Sequence, residues 1–362
     1  MSVSYAFRKV LQGGAVLALA LPLAACGGSD TGDGDTREVA MTLATPTWNA
    51  GIASIAVSQE MGYFEDEGLE VEVILADSAT TQAQQIATGQ VVTGAVSPEP
   101  VILGHQPDRN LDLTYFMSYY KDNIYGLRVP ADSDITSIED LQGKTVGAIS
   151  LASASVTQAQ VGLREAGVPE DSVTFVAIGT GGQQAAAVEN GQVDALALLD
   201  TSFQVLENQG IELREIEVPG TDALTSGGLA ARTSDLEADR ELYVKLGRAI
   251  AKGVVFSQAN PEAAIELLFA AHPEARPSGL EDDAAVASSV SVLEARLANL
   301  GAEDDPYGAI DPAALQANVD FLLDAGELTE EVDPDDLYDD SLISDINDFD
   351  REAVRQEAAD HA

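Results

Sequence analysis

Cysteine is almost missing from this sequence: Cys26 is the only one in 362 residues. A single thiol makes no internal disulfide, and it leaves no CxxC pair for zinc or redox work. Histidine is nearly as scarce. His105, His272 and His361 are scattered, with no HExxH or other ligand spacing, and all three read as surface residues. No GxSxG elbow is present, so a hydrolase would have to use two carboxylates. Positive charge is also rare: 18 Lys and Arg stand against 61 Asp and Glu, a formal charge of −43. Nucleic acid and anionic membrane surfaces are thereby excluded as partners. Such an acidic balance is typical of proteins exposed to high salt, or it is simply an acidic surface. No internal period of 20 to 50 residues indicates a solenoid.

What is present begins with an address. Arg8 and Lys9 precede an apolar run, Ala15 to Ala25, that ends at Cys26. The run is shorter than the roughly 20 residues needed to cross a bilayer, and basic start, apolar middle and small-residue end make a secretory signal. LAAC (Leu23 to Cys26) resembles the bacterial lipoprotein signal, in which the cysteine sulfur carries a diacylglycerol and the chain is cut just before it. The implied organisation is a signal peptide over 1–25 and a flexible tether over 26–37. The mature protein then sits outside the cytoplasmic membrane, anchored through Cys26 to its outer face. The tether includes GGSDTGDGD, which has no apolar residue to bury.

From Val39 onward, short apolar runs alternate with segments of helical period, the pattern of α/β units around mainly parallel sheets. Strands are expected at Val39–Thr45, Leu69–Leu75, Val92–Ala95, Leu111–Phe116, Gly126–Val129, Thr145–Ile149, Val173–Ala177 and Ala195–Leu199. After about Ser226 helices take over, at 237–260, 261–271, 282–300 and 312–325. The acidic stretch 333–350 carries Leu337, Leu342, Ile343, Ile346 and Phe349 at near-helical spacing. As a calcium loop it fails, because Phe349 stands where the third ligand belongs and Asp350 where glycine belongs. It reads as packed helices with a solvated acidic face.

In open α/β sheets ligands lie beyond the carboxyl ends of strands, and three such segments carry suitable groups. Trp48 and Asn49 follow the first strand, where a flat ring beside an amide would cover and orient a ligand; core packing is the alternative for Trp48. Ser97 and Glu99 follow the third. Ser153 and Ser155, in SLASAS, either cap a helix or recognise an anion. GTGG (Gly179 to Gly182) is a tight turn or a ligand-facing loop. It is neither a dinucleotide fingerprint nor a Walker loop.

Several stretches resemble the extracytoplasmic solute-binding proteins of ABC importers, in the branch for nitrate, taurine, alkanesulfonates and thiamine-pyrimidine precursors. They are MGYFEDEGLEVEV (Met61 to Val73), ATGQVVTGAVSPE (Ala87 to Glu99), IYGLRVPADSDITSIEDLQGKTVGA (Ile124 to Ala148), AAAVENGQVDALALLD (Ala185 to Asp200) and FLLDAGELTEEVDPDDLYDDSLI (Phe321 to Ile343). The resemblance implies a periplasmic-binding-protein type II fold, an α/β pair of lobes each with a mainly parallel sheet flanked by helices, closing on a ligand. It implies lobe 1 at 38–122 and 226–362, lobe 2 at 123–225, and crossings near Tyr120–Gly126 and Val218–Gly228. By loop order the ligand residues are Trp48, Asn49, Ser97, Glu99, Tyr120, Asn123, Ser153, Ser155 and Asp200. It further implies no catalysis, no cofactor and no metal, a monomer, and a permease with its ATPase as partners. An oxyanion and a pyrimidine-like ring remain equal as solutes. A lipid-anchored hydrolase with paired carboxylates and a scaffold lipoprotein are the competing functions.

Overall fold

The computed structural model describes residues 36–361 apart from 108, 110, 302 and 305. The signal segment, Cys26 and the tether up to residue 35 lie outside the described residues. Ten strands form two five-stranded sheets. The strands are β1 Arg37–Leu43, β2 Leu69–Leu75, β3 Thr93–Val96, β4 Leu113–Tyr120, β5 Tyr125–Pro130, β6 Thr145–Ala148, β7 Thr174–Ala177, β8 Ala195–Leu199, β9 Leu213–Ile216 and β10 Gly227–Arg232.

Sheet order is β2-β1-β3-β10-β4 in one and β7-β6-β8-β5-β9 in the other. β1 pairs parallel with β2 and β3, and β6 with β7 and β8, while β10 runs antiparallel to β3 and β4 and β5 antiparallel to β8 and β9. Both sheets therefore share one plan. In each, the reversed strand is the first one the chain forms after arriving from the other sheet, at β4 to β5 and again at β9 to β10. This is a two-lobe α/β fold.

Local sequence explains the elements. Leu69 and Val71 are buried and Glu70 and Glu72 exposed, the alternation of an edge strand with one wet face. All four residues of β3 are buried, as a strand between two neighbours requires. Among the later helices, Pro261–Ala271 and Pro312–Asp324 begin with proline at the first turn, where its missing N–H is no loss. Asn260 and Asp311 cap them by accepting from the amides of Ala263 and Ala313.

The sheet of β1 to β4 buries one face against helices Ala53–Glu60, Arg240–Ala259, Pro261–Ala271 and Asp282–Leu297, whose Ile55, Val254, Ile265 and Leu293 join one core. Helices Ala79–Ala87, Pro98–Gly104 and Pro312–Asp324 pack on its other face through Ile86, Val101 and Val319. The second sheet has smaller cores on each face, one with Leu163 from helix Ala154–Glu165 and one with Phe203 from helix Asp200–Asn208. In the acidic stretch Leu337, Leu342 and Ile346 are buried, Leu337 directly after the short turn Pro334–Asp336 and the other two on Asp340–Leu342 and Ile343–Ile346. This segment also covers the edge of β4: the Tyr115 amide donates to the Leu337 carbonyl and the Asp339 amide to the Tyr115 carbonyl.

Two expectations need correction. The stretch after Ser226 is not purely helical, because it opens with β10. The three histidines are not free surface residues either: each is half-buried, with His105 Nε2 2.9 Å from the Leu113 carbonyl oxygen, His272 stacked on Trp48 and His361 edge-on to Phe256.

Candidate functional site

At the carboxyl end of β3 the chain turns into helix Pro98–Gly104. Ser97 occupies its cap position and Pro98 its first turn, so the amides there are aimed at the space beyond the strand. Ser97 caps nothing with its side chain. Its Oγ is buried and unpartnered, and so is Oε2 of Glu99. Burial pushes the Glu99 carboxyl above its ordinary value, while the Ser97 hydroxyl and its own peptide group pull the other way. Ser97 and Glu99 are neighbours without a hydrogen bond of ordinary geometry between them.

Two tyrosines share this environment. The Glu99 charge adds to the rise in the pKa of Tyr115 and Tyr125, both dominated by burial. Tyr115 donates its hydroxyl to the Val96 carbonyl at 3.1 Å. Gly227 makes this closeness possible. Its φ is +94°, and a Cβ there would collide with the Val96 carbonyl oxygen and press on the Ser97 backbone.

Tyr125 links this group to a second one, since it also feels Tyr120, Arg296 and Asp200. Asp200 stands at the end of β8 and starts helix Asp200–Asn208. Its Oδ1 accepts from the Thr201 amide and Arg296 Nη2, each at 2.7 Å, and its Oδ2 from Asn299 Nδ2 at 2.9 Å. Burial pushes Asp200 up, and Arg296 foremost pulls it back. Three N–H donors on two oxygens hold it as a carboxylate. The Arg296 guanidinium lies 5.0 Å from the Tyr120 ring centroid, within cation–π range.

Asn123 sits between the sheets and ties both crossings together. Its Oδ1 accepts from the Tyr125 amide at 3.2 Å and from Ser226 Oγ at 3.3 Å, while its Nδ2 donates to Gln158 Oε1 at 2.9 Å. Ser226 Oγ in turn accepts from the Ile124 amide at 2.9 Å. Ser155 donates to the Ala197 carbonyl at 2.8 Å, fastening its helix to β8, and Ser153 Oγ is 2.9 Å from Ser155 Oγ.

Trp48 is buried in the larger core. One face of its ring stacks on His272, with centroids 3.8 Å apart and planes at 12°. Asn49 caps the turn Ala50–Ile52 by accepting from the Gly51 amide at 2.9 Å, and its Nδ2 donates to Thr45 Oγ1.

The structure thus puts Glu99, Tyr120 and Asp200 within electrostatic reach of Tyr125, with Ser97 beside Glu99, and puts Asn123, Ser155 and Asn49 to work holding the backbone. Sequence reading overlooked Tyr125, Arg296 and Asn299. One signal existed for Arg296: with Ala285, Ser289, Val292 and Leu293 it falls on the buried stripe of helix Asp282–Leu297. A charged group on such a stripe needs a buried partner.

Two sheets of one strand order, exchanging a strand at each crossing, with ligand-sized polar groups where parallel strands end, define a protein of the periplasmic-binding-protein type. The chain belongs to the NMT1/THI5-like family, whose model matches residues 49–264. It is 24% identical over 314 residues to the formylaminopyrimidine-binding protein of Halalkalibacterium halodurans, covering 83% of this chain and 89% of that protein. It is 26% identical over 230 residues to the riboflavin-binding protein RibY of Chloroflexus aurantiacus, covering 63% and 65%. Among solved structures, the alkanesulfonate-binding protein SsuA of Xanthomonas axonopodis pv. citri, bound to MOPS, superposes with a TM-score of 0.62 at 16% identity, over 85% of this chain and 99% of that one. The fold also houses an enzyme, the desulfurization enzyme DSZB, with a TM-score of 0.55 at 18% identity over 85% and 98%.

Proposed function

We propose that this protein is the extracytoplasmic solute-binding component of an ABC importer, and that its solute is a flat nitrogen heterocycle carrying N–H donors. The observation that carries the choice of solute is Glu99 Oε2, a buried acceptor with no hydrogen bond of ordinary geometry, beside the equally unpartnered Ser97 hydroxyl beyond the end of β3. A buried acceptor without a donor is destabilising by about 1–3 kcal/mol until something supplies one. An amino or ring N–H does so; a sulfonate or nitrate brings only further acceptors and negative charge to a carboxylate. Arg296 offers such an anion little, because its Nη2 is already bonded to Asp200. The curated relatives that bind a formylaminopyrimidine and riboflavin agree with a heterocycle.

Lobe 1 comprises residues 38–122 and 226–362 and lobe 2 residues 123–225. Cys26 carries the lipid that keeps the protein beside its permease, and the protein acts as a monomer that releases its solute unchanged. Among the described residues no helix is long and apolar enough to cross a membrane. A carboxylate-pair hydrolase has less support, since Asp200 has both oxygens bonded.

The test is a melting screen of the purified chain against formylaminopyrimidine, riboflavin and MOPS, with product analysis by mass spectrometry. A solute at 100 times its dissociation constant adds about 2.7 kcal/mol of stability. The expected result is a shift with one of the heterocycles, none with MOPS, and no product. A shift with MOPS alone refutes the choice of solute, and turnover refutes the binding role.

A further inference from the structure

Asp200 and Arg296 stand on helices that pack on different sheets. Asp200 opens the helix whose Phe203 and Leu206 pack on the sheet of β5 to β9, while helix Asp282–Leu297 sends Ala285, Val292, Leu293 and Leu297 into the core under the sheet of β1 to β4. Their ion pair, at 2.7 Å, has side chains only 6% and 11% exposed, so bulk salt screens it little. Arg296 Nε is buried without a partner, which leaves the guanidinium to be oriented through Nη2 by Asp200 and by the Tyr120 ring. Tyr120 is the last residue of β4, where the chain leaves the first sheet.

The same two helices meet further along. Asn208 Nδ2 donates to the Ser288 carbonyl at 2.8 Å and to Ser291 Oγ at 2.9 Å. At their N-terminal neighbour, Thr201 packs so closely on Gly51 that a Cβ on Gly51 would come within 2.9 Å of its methyl group. The Asp200–Arg296 pair itself lies beside the first crossing, where the Asp200 amide donates to the Ile124 carbonyl at 2.8 Å and the Lys121 amide to the Asn299 carbonyl at 2.9 Å.

We propose that Arg296 is the positioning residue for solute capture. By holding Asp200 across the lobe boundary it raises the closed fraction before any solute arrives, fixes the Tyr120 ring, and removes Asp200 from the groups a solute can use. The apparent dissociation constant scales inversely with the competent fraction, so a pre-set closure tightens binding with no added solute contact. The inference rests on the solute-binding reading for its purpose, but the lobe state itself is measured without a solute.

The experiment is small-angle X-ray scattering of the solute-free full chain, for wild type, R296K and the double variant D200N/R296M. The double variant removes both charges together and so strands neither. The expected result is a larger radius of gyration for the folded double variant and a wild-type radius for R296K. A folded double variant with the wild-type curve overturns the proposal. Should the double variant not fold, D200N alone decides in the same way, because it keeps the side-chain shape and the acceptor for the Thr201 amide. With whichever heterocycle binds in the melting screen, weaker binding through faster release together with a larger radius supports the proposal. Weaker binding at an unchanged radius means that one of the pair touches the solute, and overturns it. If no compound of the screen binds, the solute assignment fails while the scattering result still stands.

Discussion

Replacing Glu99 by glutamine is expected to move stability and binding in opposite directions. In the solute-free protein Oε2 is buried with no donor, and burial has raised the carboxyl's pKa. Glutamine keeps the shape, removes the charge and gains an NH2 that can donate to the neighbouring Ser97 Oγ, itself unpartnered. Relief of part of a desolvation term of about 1–3 kcal/mol gives a gain near 1 kcal/mol. At roughly 2–4 °C per kcal/mol for domains of 150–250 residues, the solute-free melting temperature rises by a few degrees.

Binding goes the other way. A solute N–H that meets the carboxylate makes a charge-assisted bond of about 1.5–3 kcal/mol, and its loss weakens affinity about 10- to 150-fold. Differential scanning calorimetry with and without solute, followed by isothermal titration, reads both effects on one sample. A variant that melts lower without solute shows that Oε2 has a partner in the free protein, and one that binds as wild type shows that Glu99 does not face the solute. Either result removes the ground for preferring a heterocycle.

Three further perturbations test separate parts of the structure. His272→Ala uncovers one face of Trp48, the only tryptophan, and is expected to shift its emission to the red and lower stability by about 1 kcal/mol; unchanged emission would deny the stack. Gly227→Ala forces a Cβ into the Val96 carbonyl at a φ of +94° and is expected to destabilise by 2 kcal/mol or more on the scale of about 1–3 kcal/mol for strained backbone plus a steric term, read by urea unfolding. Asn123→Ala strips partners from the Tyr125 amide, Ser226 and Gln158, is expected to lower stability by about 1–3 kcal/mol, and should speed amide exchange at both crossings together. Exchange confined to one crossing would mean that Asn123 does not couple them.

Most strands of both sheets were legible because they announce themselves locally. Leu-Glu-Val-Glu-Val in β2 alternates, and Ala-Leu-Ala-Leu-Leu in β8 is a short apolar run, and the observed bounds match those read from sequence. β10 was missed for a physical reason. Gly-Gly-Leu-Ala-Ala-Arg has no β-branched or aromatic residue, since a strand wedged between β3 and β4 is selected for closeness: a Cβ at Gly228 would strike the Met117 carbonyl. β9, Leu-Arg-Glu-Ile, lies at a sheet edge and carries two charges in its four residues, so no apolar run marks it. In the site, Ser97, Glu99 and Asp200 were marked by following strands, which chain order reveals. That Asp200 is saturated depends on Arg296 and Asn299, about a hundred residues downstream, and only the tertiary fold brings them in. Trp48 met the same limit, because its covering partner His272 arrives from the far end of helix Pro261–Ala271.

The Glu99 carboxyl also fixes how both effects depend on pH. Its unfolded value is about 4.3, and the folded value lies above that. Between the two the folded chain holds the extra proton, so this group's contribution to stability is fully present below the unfolded value and is lost as pH rises through the folded one. Solute binding uses the unprotonated acceptor and therefore weakens as pH falls through the same raised value, with proton release on binding that titrations in buffers of different ionisation heat detect. Groups such as Asp239 and Asp339, which Arg37 and Arg240 help hold below their ordinary value, act in the opposite sense on stability, losing their contribution as pH falls. They are common to wild type and E99Q, so subtracting the two melting profiles cancels them and leaves Glu99. A difference profile that declines with rising pH, beside an affinity that climbs, is the signature of a buried acceptor awaiting a donor. A difference that is flat from about pH 4 to 8 would mean the carboxyl titrates as if in water, and the site would then have no unmet acceptor for a heterocycle to satisfy.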